Sequence, residues 1–451
     1  MEAIPKQPAG IRAFAIVWLG QVISLLGSGM TNFAIIIWAW QKTGSATALA
    51  LVTFFYFGPT VLLSPIAGAL VDRWNRKLVM MLSDIVACLT ASAILILYAT
   101  DHLQIWHLYI AGIFSGAFQA FQWPAYSAAI STMLPKAQYA RASGMLSLAE
   151  SSSNIAAPLL AGILLSLIGI AGVMIIDILT FLVAIAALLI VHIPQPAITE
   201  EGEKSRGNLW AESTYGFRYI FERPSLLGLQ AVFAAINLIA TFGFTLLAPM
   251  ILSRAGNNSV VLGSVQSAAG IGGVIGSLLL SVWGGPKRKV HGVLLGLVLA
   301  SLCGELLLGL GKSFHVWAIA AFSAAFFLPI INGSNQAIWQ AKVAPDVQGR
   351  VFATRRLIAQ ITAPVAMLLA GPLADRVFEP AMRTESTLAN LFDGWVGTGP
   401  GAGMSLMFVF AGILGALAGL AGYAFPQVRN AEDLLPDHEQ DRVPVSARPS
   451  S

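Results

Sequence analysis

The feature that most constrains this chain is a recurrent apolar run, each copy about as long as a bilayer is thick and almost free of charge. A hydrocarbon core of about 30 Å is crossed by about 20 helical residues. On that measure candidate spans fall at 14–40, 47–70, 78–99, 105–133, 143–167, 169–192, 225–252, 259–283, 290–310, 314–343, 352–374 and 403–426. The reading is an all-α membrane protein of twelve transmembrane helices. Composition agrees: 56% hydrophobic residues, 11% charged residues and a mean hydropathy of +0.74 leave too few charges to cover a water-facing surface. The first run, from Phe14 to Trp40, is too long for the apolar core of a signal peptide and reads as a retained span.

The net charge of +4 does not point to nucleic acid, because Lys and Arg occur as short clusters between apolar runs rather than along one face. With the N-terminus in the cytoplasm, all 26 Lys and Arg residues except Lys42, Arg254, Lys312, Arg376 and Arg383 fall on the cytoplasmic side. The positive-inside rule therefore places both termini inside a cell membrane crossed many times. Cys88 and Cys303 each sit inside an apolar run and read as small packing residues, with no disulfide framework or metal spacing.

Between the sixth and seventh runs lies the polar stretch Pro194 to Pro224, which divides the chain into two halves of six spans. Landmarks then recur in order: Gly68 and Gly276 are 208 residues apart, Ser115 and Ser323 208, Arg141 and Arg350 209, and Pro158 and Pro364 206. Four matches at one offset indicate a duplicated unit. The expected organisation is an N-terminal bundle at 1–193, a cytoplasmic linker at 194–224, a C-terminal bundle at 225–428 and a disordered tail at 429–451. Two pseudo-symmetric six-helix bundles place a cavity between them near the midplane.

The loop Gly68-Ala69-Leu70-Val71-Asp72-Arg73-Trp74-Asn75-Arg76-Lys77 resembles the signature of the major facilitator superfamily between spans two and three. The resemblance implies a conformational latch made by Gly68, Asp72, Arg73, Arg76 and Lys77, with Asp84 available to complete it from span three. Its second-half counterpart, Gly276 followed by Lys287-Arg288-Lys289, lacks the aspartate. Span five carries Gly144, Ser153, Ala157, Pro158, Ala161 and Gly162 at the positions of a glycine-rich segment of the superfamily's drug antiporters, with three of the glycines replaced by Ser or Ala. Gln41-Lys42-Thr43-Gly44-Ser45-Ala46-Thr47 and Gly371-Pro372-Leu373-Ala374-Asp375-Arg376 look like the drug-exporter branch that includes macrolide-efflux and siderophore-export proteins. The resemblance implies a secondary exporter of an amphiphilic or hydrophobic small molecule, with protons, the substrate and the bilayer as partners, no cofactor and a monomeric chain.

Ionisable residues at membrane depth are costly and are functional candidates by default. Four stand out: Asp84, Glu150, Asp177 and Glu305. Glu150, inside the antiporter-like segment, and Asp177 are the expected proton-coupling carboxylates, whereas Glu305 reads as an interfacial pair or cap. Asn32, Gln119, Gln122, Trp123, Tyr126, Asn237, Asn335, Gln336 and Trp339 are the expected cavity lining, an amide and aromatic mixture suited to a large, mostly apolar ligand. A membrane enzyme is disfavoured because the six histidines pair with no acid at depth, and an ATP-driven pump because the chain has no Walker loop. A lipid or lysophospholipid carrier, or an uncoupled facilitator, remains as the alternative within transport.

Single cysteines introduced on a background lacking Cys88 and Cys303 test the topology. Positions 43, 256 and 393 are expected to react with an impermeant thiol reagent in intact cells, and positions 76, 204 and 442 only after lysis. External reactivity at position 204 contradicts the two-half arrangement.

Overall fold

The computed structural model describes residues 10–71, 74–135, 138–193, 216–343, 348–383 and 386–434. Among them the regular structure is helical throughout. The N-terminal half holds α1 (Gly10–Thr43), α2 (Ala46–Val71), α3 (Arg76–Ala99), α4 (Ile105–Met133) and α5 (Tyr139–Ile190). The C-terminal half holds α6 (Pro224–Arg254), α7 (Ser259–Trp283), α8 (Lys289–Ala300), α9 (Phe314–Lys342), α10 (Gln348–Leu373), α11 (Thr387–Val396) and α12 (Ala402–Ala424).

α5 is 52 residues long, roughly 78 Å at 1.5 Å per residue and more than twice a bilayer core. It is two spans, because Gly169 breaks it with φ 65° and ψ −175°, a conformation that disfavours any side chain. α8 continues through a π turn, Ser301–Leu306, into Leu307–Leu310, and α10 continues through Ala374–Phe378 into Glu379–Arg383. Ten described helices are long and apolar enough to cross a membrane, one of which contains both arms of α5. With α4, itself 29 residues of mostly apolar sequence, these are consistent with twelve spans. The connection between the eleventh and twelfth spans also contains α11, a short helix absent from the sequence expectation and N-capped by Ser386 Oγ, which accepts from Ala389 N at 3.1 Å.

Helix packing follows the duplication. Within the N-half α1 packs on α5 and α2 on α4, and within the C-half α7 packs on α9 and α6 on α10 and α12. Between the halves, α5 meets α7 and α2 meets α10. These are the fifth span against the eighth and the second against the eleventh, the exchange that a two-fold relation between six-span halves demands. Lipid offers no hydrophobic drive for such contacts, so they depend on close backbone approach at small residues. A Cβ at Gly116 would strike the Tyr56 carbonyl, and one at Gly272 or Gly276 the carbonyls of Phe322 or Phe326.

Of the expected disordered tail at 429–451, residues 429–434 are described and pack on the C-half, and the rest lies outside the described residues. Pro426–Arg429 and Ala431–Leu434 are short helices, with Val428 and Ala431 buried in the C-half core. Arg288 Nη2 donates to Asp433 Oδ2 at 2.6 Å, and Glu432 accepts from the Lys289 and Val290 amides at 3.0 and 2.9 Å. The acid missing from the second basic loop is thus supplied by the C-terminal segment.

Candidate functional site

The described contacts between the two halves gather toward one end of the bundle. Every hydrogen bond between the halves among the described residues lies at mid-depth or at the end opposite the termini. Trp40 Nε1 donates to Asn257 Oδ1 at 2.8 Å, Ser259 Oγ to the Gly162 carbonyl at 3.3 Å and Ser267 Oγ to the Ile155 carbonyl at 2.7 Å. Gly263 and Gly270 let α7 lie against the backbone of α5 at Pro158 and Ile155.

The strongest of these contacts joins the two exporter-like segments. Asp375, in the π turn that ends α10, accepts from the Ala46 amide at 3.0 Å, the Thr47 amide at 2.8 Å and Ser45 Oγ at 2.6 Å. Ser45 Oγ accepts in turn from the Ala48 amide at 3.2 Å, an N-cap contact. A carboxylate from one half thereby neutralises the positive N-terminus of a helix in the other. Gly371, one turn earlier, rests on the Thr47 backbone. Sequence reasoning singled out both segments but had no signal for their meeting, because 330 residues separate Ser45 from Asp375.

The antiporter-like segment of α5 is a two-sided packing strip. Ser153 Oγ donates to the Leu25 carbonyl at 3.2 Å, and Ala157 lies against Gly29, so this side faces α1. Pro158 and Gly162 face α7. Gly144 lies near the start of the same helix. The residues 162, 158 and 154 that touch α7 recur every four positions, and Glu150 is the next on that stripe. Glu150 is exposed, although its place in span five put it at membrane depth.

Asp84 is 1% exposed, and its carboxylate accepts from Gln21 Nε2 at 2.9 Å and Gln122 Nε2 at 2.6 Å. It therefore binds amides of α1 and α4 instead of completing the basic-loop latch. Asp177, 2% exposed, accepts from Ser28 Oγ at 3.2 Å, with Gly27 closely apposed. Lys77 donates to the carbonyls of Leu189 and Val191, which end α5, at 3.2 and 2.9 Å, while Asn75 N-caps α3. Arg76 is buried; Asp72 and Arg73 lie outside the described residues, and Gly68 falls in the last turns of α2. Glu305 does not form the expected interfacial pair: it lies in the π turn of α8 with its Oε2 buried and unpartnered among the described residues.

The expected cavity lining divides. Asn32, Gln119 and Trp123 are exposed, and Tyr126 is half-buried with its hydroxyl enclosed and unpartnered. Asn237 is half-buried and donates to the Phe233 carbonyl of its own helix at 2.8 Å. Asn335 and Trp339 are corrected: both are 0% exposed, joined by a 3.1 Å bond and packed in the C-half core rather than lining a cavity. Gln336 is half-buried, and its Oε1 accepts from Arg355 Nη1 at 2.8 Å. Arg355 itself was missed, because in the linear sequence it merges with the basic cluster at the cytoplasmic end of span eleven. A separate hollow of about 550 Å³ lies on the lateral α3–α4 face, lined by Trp74, Leu78, Leu82, Phe118 and other mainly apolar residues, away from the cleft between the halves.

The sequence model described as "Major Facilitator Superfamily" matches residues 17–367. Macrolide efflux protein A of Streptococcus pyogenes is 26% identical over 366 residues, covering 81% of this chain and 90% of the relative. Multidrug efflux pump Tap of Mycolicibacterium fortuitum is 26% identical, covering 77% and 86%, and enterobactin exporter EntS of Salmonella typhimurium is 22% identical, covering 75% and 80%. Among solved structures, an inward-facing, occupied bacterial homologue of the human lysosomal transporter Spinster superimposes with TM-score 0.66 at 15% identity, over 92% of this chain and 98% of that one. A POT family transporter in complex with 5-aminolevulinic acid gives TM-score 0.69 at 10% identity, over 93% and 98%.

Removing the Asp375 carboxylate should loosen the seal without unfolding either half, since its partners all lie across the interface. Charge-assisted hydrogen bonds of this kind contribute about 2 kcal/mol in total once solvent competes, or about a thirty-fold shift between closed and open. Spin labels at Lys42 and Asn390, read by pulsed dipolar spectroscopy, should report a longer distance population in Asp375→Ala than in the wild type. An unchanged distribution removes Asp375 from the seal.

Proposed function

Because this chain belongs to the major facilitator superfamily, whose members are transporters, we propose that it is a secondary active exporter of an amphiphilic or hydrophobic small molecule, driven by proton antiport. The observation that carries this reading is the one-sided junction of the halves. Trp40–Asn257, Ser259–Gly162 and the Asp375 contacts join the halves at one end, as one state of an alternating-access cycle requires. With the termini in the cytoplasm of a cell carrying the protein in its plasma membrane, the joined end faces outward. In the opposite state the halves meet around the loop bearing Asp72, Arg73, Arg76 and Lys77, and the chain acts as a monomer. Names of the relatives support export as the direction, since they include a macrolide efflux protein, a multidrug efflux pump and an enterobactin exporter.

Glu150 is the proton-coupling carboxylate we favour. It is exposed and continues the α5 stripe that meets α7, so rocking of the halves would bring α7 against it. Asp177 is the second candidate, shielded between α1 and the second arm of α5. A lipid or lysophospholipid carrier is the other reading, and the apolar lateral hollow between α3 and α4 favours it, since an acyl chain could enter there from the bilayer.

Glu150→Gln in proteoliposomes tests the coupling. Gradient-driven accumulation of substrate should fall at least tenfold, while counterflow exchange, which moves no net proton, should survive. Unchanged accumulation removes Glu150 from the mechanism and transfers the role to Asp177.

A further inference from the structure

We propose that Arg355 recognises an anionic group on the transported molecule, so that the preferred substrate is a carboxylate-bearing amphiphile. The proposal rests on the exporter reading for its transport consequence, but the binding claim stands on the geometry of Arg355.

Arg355 lies seven residues beyond Gln348, the first residue of α10, which places it roughly 10 Å into the helix. It is half-buried, and no carboxylate among the described residues pairs with it. Among the described residues its one side-chain hydrogen bond goes from Nη1 to Gln336 Oε1 at 2.8 Å, a neutral acceptor. A guanidinium has five N–H donors in a planar fork, so most of its donor capacity is unspent. Around it stand three aromatic rings, with the guanidinium carbon 5.3 Å from the Trp339 ring centre and 5.9 Å from those of Phe233 and Phe352. The rings flank the fork and partly shield it from water, which strengthens any anion contact it makes.

The support beneath Arg355 is preorganised. Trp339 is locked by its bond to Asn335, and Gln230 Nε2 donates to the Arg355 carbonyl at 3.1 Å, tying α6 to α10 at this level. α10 and α6 are also the C-half helices that approach α2. The pair of helices that carries the Arg355 site is thus the side of the C-half that meets the N-half. A helix anchor that merely reached for the membrane surface would need no amide partner and no aromatic walls. A planar, fixed, unpaired cation fits a carboxylate held through two parallel N–H···O bonds, and half-buried Phe233 and Phe352 offer contact to an apolar body beside it. Lysine, a point charge without the fork, would reproduce the charge but not the geometry.

The test uses full-length purified protein and two probes that differ only in charge: 11-(dansylamino)undecanoic acid and its methyl ester, with binding read by tryptophan-to-dansyl energy transfer. The wild type should bind the acid about tenfold more tightly than the ester. Arg355→Gln should bring the acid to the affinity of the ester and leave the ester unchanged. Arg355→Lys should recover only part of the preference, and both variants should keep the thermal midpoint of the wild type. Equal affinity of the wild type for acid and ester, binding of neither, an unchanged acid affinity in Arg355→Gln, or parallel loss of both probes overturns the assignment. Export of both probes from energised vesicles separates this result from the exporter reading. If the acid preference depends on Arg355 but the wild type exports neither probe, the anion site stands and the exporter reading fails.

Discussion

The fold depends on backbone meeting backbone where side chains are small. Between helices in lipid, burying an apolar side chain gains little, because the hydrocarbon it leaves is as apolar as the neighbour it meets. What remains is van der Waals contact at short range, and this chain obtains it by placing glycine where two helix axes must nearly touch. Gly112 and Gly116 bring α4 onto α2, and Gly272 and Gly276 bring α7 onto α9. The same device operates between the halves at Gly263 and Gly270, but only over the sealed end and the mid-depth region. Contacts within a half are extensive and those between halves local, the distribution needed if the halves move as units and the junction alone opens.

Carboxylates at helix N-termini give that junction its directionality. Glu379 accepts from the Gly401 and Met404 amides at 3.1 and 2.9 Å at the start of α12, and Glu432 does the same at the start of α8. Both lie within the C-half, so their charge–dipole energy persists in every state. Asp375 uses the same chemistry across the interface, at the start of α2. Its energy is present only while that end is closed, and a contact that differs between states is the kind able to bias an equilibrium.

Much of this was legible from the sequence, and what was not has physical causes. Span boundaries fell within a few residues of the helices because apolar length is dictated by the bilayer, and the boundary between spans five and six falls at Gly169, where the helix breaks. The function of transport was likewise readable from the loop at Gly68 to Lys77 and from the repeat, and the match over residues 17–367 bears it out at the level of the family. Side-chain partnerships were less accessible. Asp84 pairs with Gln21 and Gln122 from helices 63 and 38 residues away, and nothing local distinguishes that from a pair with the nearby basic loop. Asn335 and Trp339 were expected to line a cavity because polar and aromatic groups share a helix with Gln336, yet one residue of rotation, about 100°, separates the buried Asn335 from its half-buried neighbour. Arg355 was hidden by its neighbours: next to Arg356 and Arg350 it read as one more interfacial charge.

Proton coupling requires an element that both a titrating group and the moving junction touch. In this chain α1 meets that condition. It is 34 residues long, about 51 Å, and it carries Gln21 to Asp84, Ser28 to Asp177 and Trp40 to Asn257 across the interface. Two buried carboxylates of the N-half thus bond to the same rigid helix whose far end forms part of the seal, and Ser153 and Ala157 bind the helix bearing Glu150 to its middle. Arg355 is arranged differently. Its bonds to Gln336 and Gln230 stay within the C-half and reach no residue of the seal. The α1 network and the Arg355 network thus belong to different halves, so motion of one half against the other would move them relative to each other without breaking either.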